Sequence, residues 1–234
     1  TIDSILNQTN KNWELILYDD CSSDGSYEIA RTYAERDDRI KLFRNEKNLG
    51  QGPTRNLAFE KAQGRYIAFL DSDDEWFPGK LEKQLAFIKE KDAVLTFTSY
   101  EMVGVKNGEP FRRVVRAPES LSYGQMLHNT IIGLSTALID RRQSGKLVMA
   151  DKKSTEALNM WLNLLKKHGP GYGLDEILVK YNVRENSVSS NKTETAFNVW
   201  RVYRNDQNLA LFKALPAFVS YAFNAYRKNS GFKR

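Results

Sequence analysis

Three short apolar runs, at residues 13–18, 40–43 and 66–70, are separated by two stretches of helical spacing at 27–36 and 54–63. Runs of four to six residues bounded by turn formers read as strands. A strand, helix, strand, helix, strand order admits few folds, because each crossover helix returns the chain to the same sheet. The expectation is an α/β architecture built on a mostly parallel sheet flanked by helices on both faces.

The third run carries a second constraint. Tyr66-Ile67-Ala68-Phe69-Leu70 ends abruptly in Asp71, Asp73 and Asp74. Like charges this close repel and are costly to desolvate, so a strand-end cluster of this kind is either neutralised by a ligand or is a solvated turn capping the next helix. A hard divalent ion such as Mg2+ or Mn2+ suits oxygen ligands, and the loops after strands are where open α/β sheets bind ligands.

Further along, a helix is expected at 79–90, a strand at 93–98 and a hairpin over 100–116 around Asn107-Gly108. A late strand at 136–140, a helix at 156–167 with Trp161, Leu164 and Leu165 on one face, and a last strand at 178–183 complete the α/β part. From Ala196 onward the pattern is helical and rich in aromatics, with a break expected at Pro216. The domain reading is 1–191, followed by a basic, aromatic helical appendage at 192–234. That appendage either packs on the main domain or lies at a membrane interface with its lysines and arginines among the headgroups.

Composition removes several alternatives. With 41% hydrophobic and 27% charged residues the chain is that of a globular protein. One cysteine, Cys21, rules out an intramolecular disulfide framework and suits a reducing compartment, and two histidines, His128 and His168, are too few for a histidine-rich metal site. No apolar stretch approaches the roughly 20 residues of a spanning helix and no signal peptide is visible, so the expected location is cytoplasmic, with peripheral contact at the inner face of a membrane. The net charge is +6, and residues 213–234 hold five Lys/Arg and no Asp or Glu. Such a tail suits anionic lipid, polyanionic glycan or nucleic acid, but the basic residues are dispersed and no nucleic-acid motif accompanies them.

Three blocks fall into one order: Tyr18-Asp19-Asp20-Cys21-Ser22-Ser23-Asp24-Gly25-Ser26, then Asn48-Leu49-Gly50-Gln51-Gly52-Pro53-Thr54-Arg55-Asn56, then Phe69-Leu70-Asp71-Ser72-Asp73-Asp74. Together they resemble a family-2 glycosyltransferase with the GT-A nucleotide-sugar fold, of the bacterial surface-polysaccharide type, over about residues 1–191. The resemblance implies that Asp19 or Asp20 binds the nucleobase or ribose and that Arg55 lies near the nucleotide. It assigns Asp71 and Asp73 to the ribose and, through Asp73, to a divalent metal, Mn2+ or Mg2+, on the sugar diphosphate, with Asp71 and Asp74 helping to hold the ion. Against these roles stand plain ones: the aspartates as caps of the following helix, Gly50 and Gly52 as suppliers of positive φ, and Arg55 as a surface residue.

Two departures from the family pattern stand out. The opening strand of the type Val-Ser-Ile-Ile-Ile-Pro-x-Tyr-Asn is missing ahead of Thr1, which the resemblance reads as truncation. Inverting members also place Glu-Asp before a Trp-Leu pair, the Asp being the base, whereas this chain reads Glu156-Ala157-Leu158-Asn159-Met160-Trp161-Leu162. Ala157 stands at the base position, leaving Glu156 as the substitute. A closing block, Tyr181-Asn182-Val183-Arg184-Glu185-Asn186-Ser187-Val188-Ser189, puts Arg184 where the family carries histidine, as a fixed cation for the diphosphate. The implied function is a metal-dependent inverting glycosyltransferase that uses a nucleotide-diphosphate sugar, with uridine the expected base, on a glycan or lipid-linked acceptor. The rival reading is a catalytically impaired nucleotide-sugar-binding protein of the same fold.

Overall fold

The computed structural model describes residues 1–106, 108–129, 131–150, 155–183 and 192–230. The chain begins with α1 (Ile2–Leu6), β1 (Leu15–Asp19), α2 (Ser26–Ala34), β2 (Ile40–Arg44), α3 (Gln51–Lys61) and β3 (Tyr66–Ala68). It continues through β4 (Glu75–Trp76), α4 (Lys80–Glu90), β5 (Leu95–Lys106), β6 (Glu109–Val115), β7 (Ser120–Leu121), α5 (Tyr123–Met126) and β8 (Leu138–Asp140). Then come α6 (Arg141–Ser144), α7 (Glu156–His168), β9 (Gly171–Val183), α8 (Lys192–Arg201) and α9 (Leu211–Ser230).

The α/β class is as expected, but the sheet is mixed. β1 and β2 pair in parallel as a two-stranded sheet of their own. The larger sheet runs β3-β8-β5-β9-β4, with β6 on β5 and β7 on β9. Among the described residues, β5 with β9 is its one parallel ladder. β8 enters antiparallel between β3 and β5, so the strand that ends in the acidic block has an antiparallel neighbour 70 residues later, Ala68 facing Leu138. Crossover logic predicts parallel pairing for the opening alternation, and it fails at β3 because β3 does not pair with β1 at all.

The apolar run of β3 is continuous because the strand is covered on both faces. Ile67 and Phe69 point into the main core with Trp161 and Leu162 of α7, whereas Tyr66 and Ala68 pack with Ile88 of α4. β8 alternates in the same way, Ile139 towards α7 and Leu138 towards α4. The hairpin also forms as expected. Lys106 faces Glu109, and Gly108 at φ +83° takes the left-handed turn position.

Pro216 does not end a helix. It lies inside α9, and the carbonyl of Phe212 that it leaves without an intrahelical donor belongs to a residue 75% exposed, where water can serve. The break falls earlier: α8 runs on into a π-helical segment at Val202–Asp206, and the helix then stops over residues 207–210, where Asn208 takes φ +52°. Val199, Val202, Tyr203, Ala214 and Ala217 share the main core with Trp161 and Leu165, so α8 and α9 close over the α/β unit.

Candidate active site

β1 delivers Asp19 and Asp20 to a loop that uses both carboxylates. Asp19 meets the Arg44 guanidinium at 3.1 Å and accepts the Ser22 N–H. Asp20 accepts from Leu49 N, Gly50 N and Asn45 Nδ2, each at 2.8 Å. Burial pulls the Asp20 carboxyl up, but these donors and the Thr54 hydroxyl outweigh it and hold the group below the usual carboxylate range. Asp20 thereby fixes the second block, in which Gly50 takes φ +87° and ψ 163°, a conformation open to little but glycine.

Asn45 carries the connection onward, donating at 2.8 Å both to Asp20 Oδ1 and to Thr54 Oγ1 in the first turns of α3. The next residue, Arg55, donates to Asp71 Oδ1 at 2.7 Å and to Gln51 Oε1 at 3.2 Å. The first, second and third blocks are thus joined by one run of polar contacts through the start of α3. Arg55 is no bystander on the surface. It is 25% exposed and paired with the acidic loop.

The acidic loop is clamped from two directions. Ser135, in a short turn before β8, accepts the Asp71 N–H at 3.1 Å and donates its hydroxyl to Asp74 Oδ2 at 2.5 Å. From the end of β9, Asn182 N donates to Asp74 Oδ1 at 3.1 Å and Asn182 Nδ2 to the Asp73 carbonyl at 2.6 Å. Asp74 is fully buried, and its carboxyl is pushed up to about 7 by burial, with the Ser135 hydroxyl opposing and the Asp71 and Asp73 charges adding. Each of its oxygens accepts a hydrogen bond from the protein, so Asp74 anchors the loop.

The fit for a divalent ion rests on the other two aspartates. The Asp71 carboxyl is raised by burial and by the neighbouring Asp73 charge, with Arg55 only partly compensating. Burial and the same acidic loop also push the Tyr181 phenol well up. A hard cation beside Asp71 and Asp73 relieves this crowding, so the donor chemistry suits Mg2+ or Mn2+. Among the described residues no group of three His, Cys, Asp or Glu side chains is gathered to hold a metal by itself.

α7 brings in the fourth block. Trp161 packs edge-on against Phe69 with ring centroids 5.9 Å apart, which ties α7 to the strand of the acidic loop. Glu156 opens the helix, 8% exposed and against α3. A methyl on Gly52 would stand 3.2 Å from Glu156 Cγ and 2.4 Å from the Ala150 carbonyl. Gly52 is required by that close approach, not by a positive φ. Ala157 packs on the main core. Arg184 lies outside the described residues. Ser135, Asn45, Thr54 and Asn182 were not singled out from the sequence for these contacts. Thr54 lies in the second block, Asn182 in the closing block and Asn45 among turn formers, whereas nothing in the sequence pointed to Ser135.

Residues 1–155 match the family described as glycosyl transferase family 2. The glycosyltransferase TuaG of Bacillus subtilis (strain 168), named for teichuronic acid biosynthesis, is 45% identical over 97% of this chain and 90% of its own length. The chain belongs to glycosyl transferase family 2. A second relative, WfgD of Escherichia coli, named as a UDP-Glc:alpha-D-GlcNAc-diphosphoundecaprenol beta-1,3-glucosyltransferase, is 34% identical over 86% of this chain and 78% of its own. Among solved structures, Staphylococcus aureus TarS 1-349 in complex with UDP-GlcNAc superposes with a TM-score of 0.70 at 21% identity, covering 99% of this chain and 71% of that one. The mannosyltransferase PcManGT from Pyrobaculum calidifontis, in complex with GDP-Man and Mn2+, gives 0.68 at 15% identity over 95% and 64%. These likenesses establish the GT-A type of fold for this family-2 chain.

Proposed function

We propose that this family-2 glycosyltransferase transfers a sugar, with inversion, from a uridine-diphosphate donor to a lipid-linked glycan acceptor, at the cytoplasmic face of a membrane where surface polysaccharide is assembled. The observation that carries the reading is the unbroken path Asp20, Asn45, Thr54, Arg55, Asp71, which brings the three motif blocks to the start of one helix. The names of WfgD and of the TarS complex support the uridine donor, and that of WfgD supports the lipid-linked acceptor.

In this reading the loop organised by Asp19 and Asp20 receives the nucleoside, and Arg55 and Asp71 hold the ribose and diphosphate side. Asp71 and Asp73 would hold Mn2+ or Mg2+, which when bound supplies positive charge to the diphosphate leaving group. The acceptor hydroxyl attacks the anomeric carbon opposite the diphosphate, the bond from that carbon to the diphosphate oxygen breaks, and the hydroxyl proton passes to a carboxylate. Glu156 takes the proton, since Ala157 cannot. Arg184 adds a fixed cation for the diphosphate.

A specific observation favours the second reading. Ala157 packs on the core where the family's base would stand, so donor binding with impaired transfer fits as well. Calorimetric titration with uridine diphosphate and Mn2+, together with transfer assays, separates these readings. Binding should be lost in Asp73→Ala, and transfer should be present in the unmodified chain and fall by about a hundredfold or more in Glu156→Gln. Binding without transfer, restored to transfer by Ala157→Asp, assigns the chain to the impaired class. No binding to either variant or parent overturns both.

A further inference from the structure

We infer that the outer face of α9 is a docking surface for an anionic lipid bilayer. The helix is apolar on two faces. Its inner face is occupied: Ala214 and Ala217 are buried, Phe218 packs edge-on against Trp200 and Tyr221 against Tyr203. Its outer face repeats at i, i+4, i+8, i+12 and i+15 with Leu211, Leu215, Val219, Phe223 and Tyr226, flanked by Phe212, and these side chains are 54–75% exposed. A contiguous stripe of six large apolar residues on a globular protein marks an interaction site. Among the described residues no helix is long and apolar enough to cross a membrane, so this one lies on its partner instead of spanning it.

Charge identifies the partner. Residues 192–234 hold eight Lys/Arg against two Asp/Glu, which accounts for the whole net charge of +6 and leaves residues 1–191 neutral. The basic excess is therefore confined to the segment that presents the stripe. Within it, Lys213 Nζ lies over the exposed Phe212 ring, 5.9 Å from its centroid, an ammonium beside an aromatic group as at a headgroup boundary. A second copy of the chain is the poorer occupant, because a two-fold contact through this face would bring two segments of like charge together. The inference rests on the proposed lipid-linked acceptor only for its purpose. Docking would place the transferase where such an acceptor is presented.

The test is co-sedimentation of the full chain with vesicles of phosphatidylglycerol and phosphatidylcholine, and of phosphatidylcholine alone. The parent should partition onto the anionic vesicles at least about tenfold better, and Leu215→Ser/Val219→Ser/Phe223→Ser should lose about tenfold or more of that binding. Affinity for uridine diphosphate and the thermal midpoint, measured without vesicles, should not change, so failure of the donor reading shows independently. The single variant Phe223→Ser, combined with a salt titration, gives the same reading if the triple variant does not fold. Equal partition of parent and variants overturns the inference. So does a parent dimer in light scattering that the variants convert to monomer without any vesicle binding, which would assign the face to a second copy.

Discussion

Lys80 shows how far a single residue can depart from the usual rules. It is fully buried at the start of α4, donates to Gln84 Oε1 at 2.8 Å and lies 4.1 Å from the Trp76 ring centre. Gln84 in turn donates to the Thr136 carbonyl, so the lysine braces the turn that carries Ser135. Burial pulls its ammonium down to about 7. In the unfolded chain a lysine titrates near ~10.4, so between about pH 7 and pH 10 the unfolded state binds more protons and stability rises with pH. The thermal midpoint of the parent should therefore gain on that of Lys80→Met as pH goes from 7 to 10. A difference that stays constant across that range would contradict a deprotonating Lys80.

The elements around the acidic loop explain what could be read from sequence and what could not. β1, β2, β3 and α4 were legible because each carries its own periodicity, and the three polar blocks because charges and glycines cluster there without any need of the core. The antiparallel insertion of β8 was not legible, since pairing depends on which strand edges remain free after the core has assembled. Asp74 looked like its neighbours in sequence, and only the approach of Ser135 and Asn182 separates it from Asp71 and Asp73. A lone hydroxyl 61 residues from its partner leaves no pattern. Removing it has a definite consequence: Ser135→Ala strips a donor from a buried carboxylate and an acceptor from the Asp71 N–H, at a cost of roughly 1–3 kcal/mol. Thermal unfolding should record that loss, calorimetry should show weaker Mn2+-dependent nucleotide binding, and Ser135→Thr should restore both in part.

At the scale of the whole molecule, the C-terminal helices are part of the core as well as a surface. Val199, Val202 and Tyr203 are fully buried, and the Tyr203 hydroxyl reaches the Leu127 carbonyl. The interior packing and the membrane-facing reading of this segment are compatible, because they use opposite sides of the same helix. Ending the chain at residue 191 removes Val199, Val202, Tyr203, Ala214 and Ala217 from the main core and takes Gln207 away from Asn159 and Asn163 of α7. The shortened chain should lose more than about 5 kcal/mol of stability or aggregate, measured by urea unfolding. A stable, cooperatively unfolding truncate would show that the segment is dispensable for folding.

The bridging amide of Asn45 also bears on how such a protein can diversify. With one side chain holding both the aspartate loop and the start of α3, the two walls share a hinge-free corner, and a replacement there would disturb both at once. The neighbouring Glu46 and Lys47 line a cavity of about 430 Å³ together with Asn45 and Leu49, so under the proposed function a substitution at either would alter the nucleoside side of the site without removing the Asn45 bridge. The corner therefore responds as a unit, while positions beside it can be changed singly.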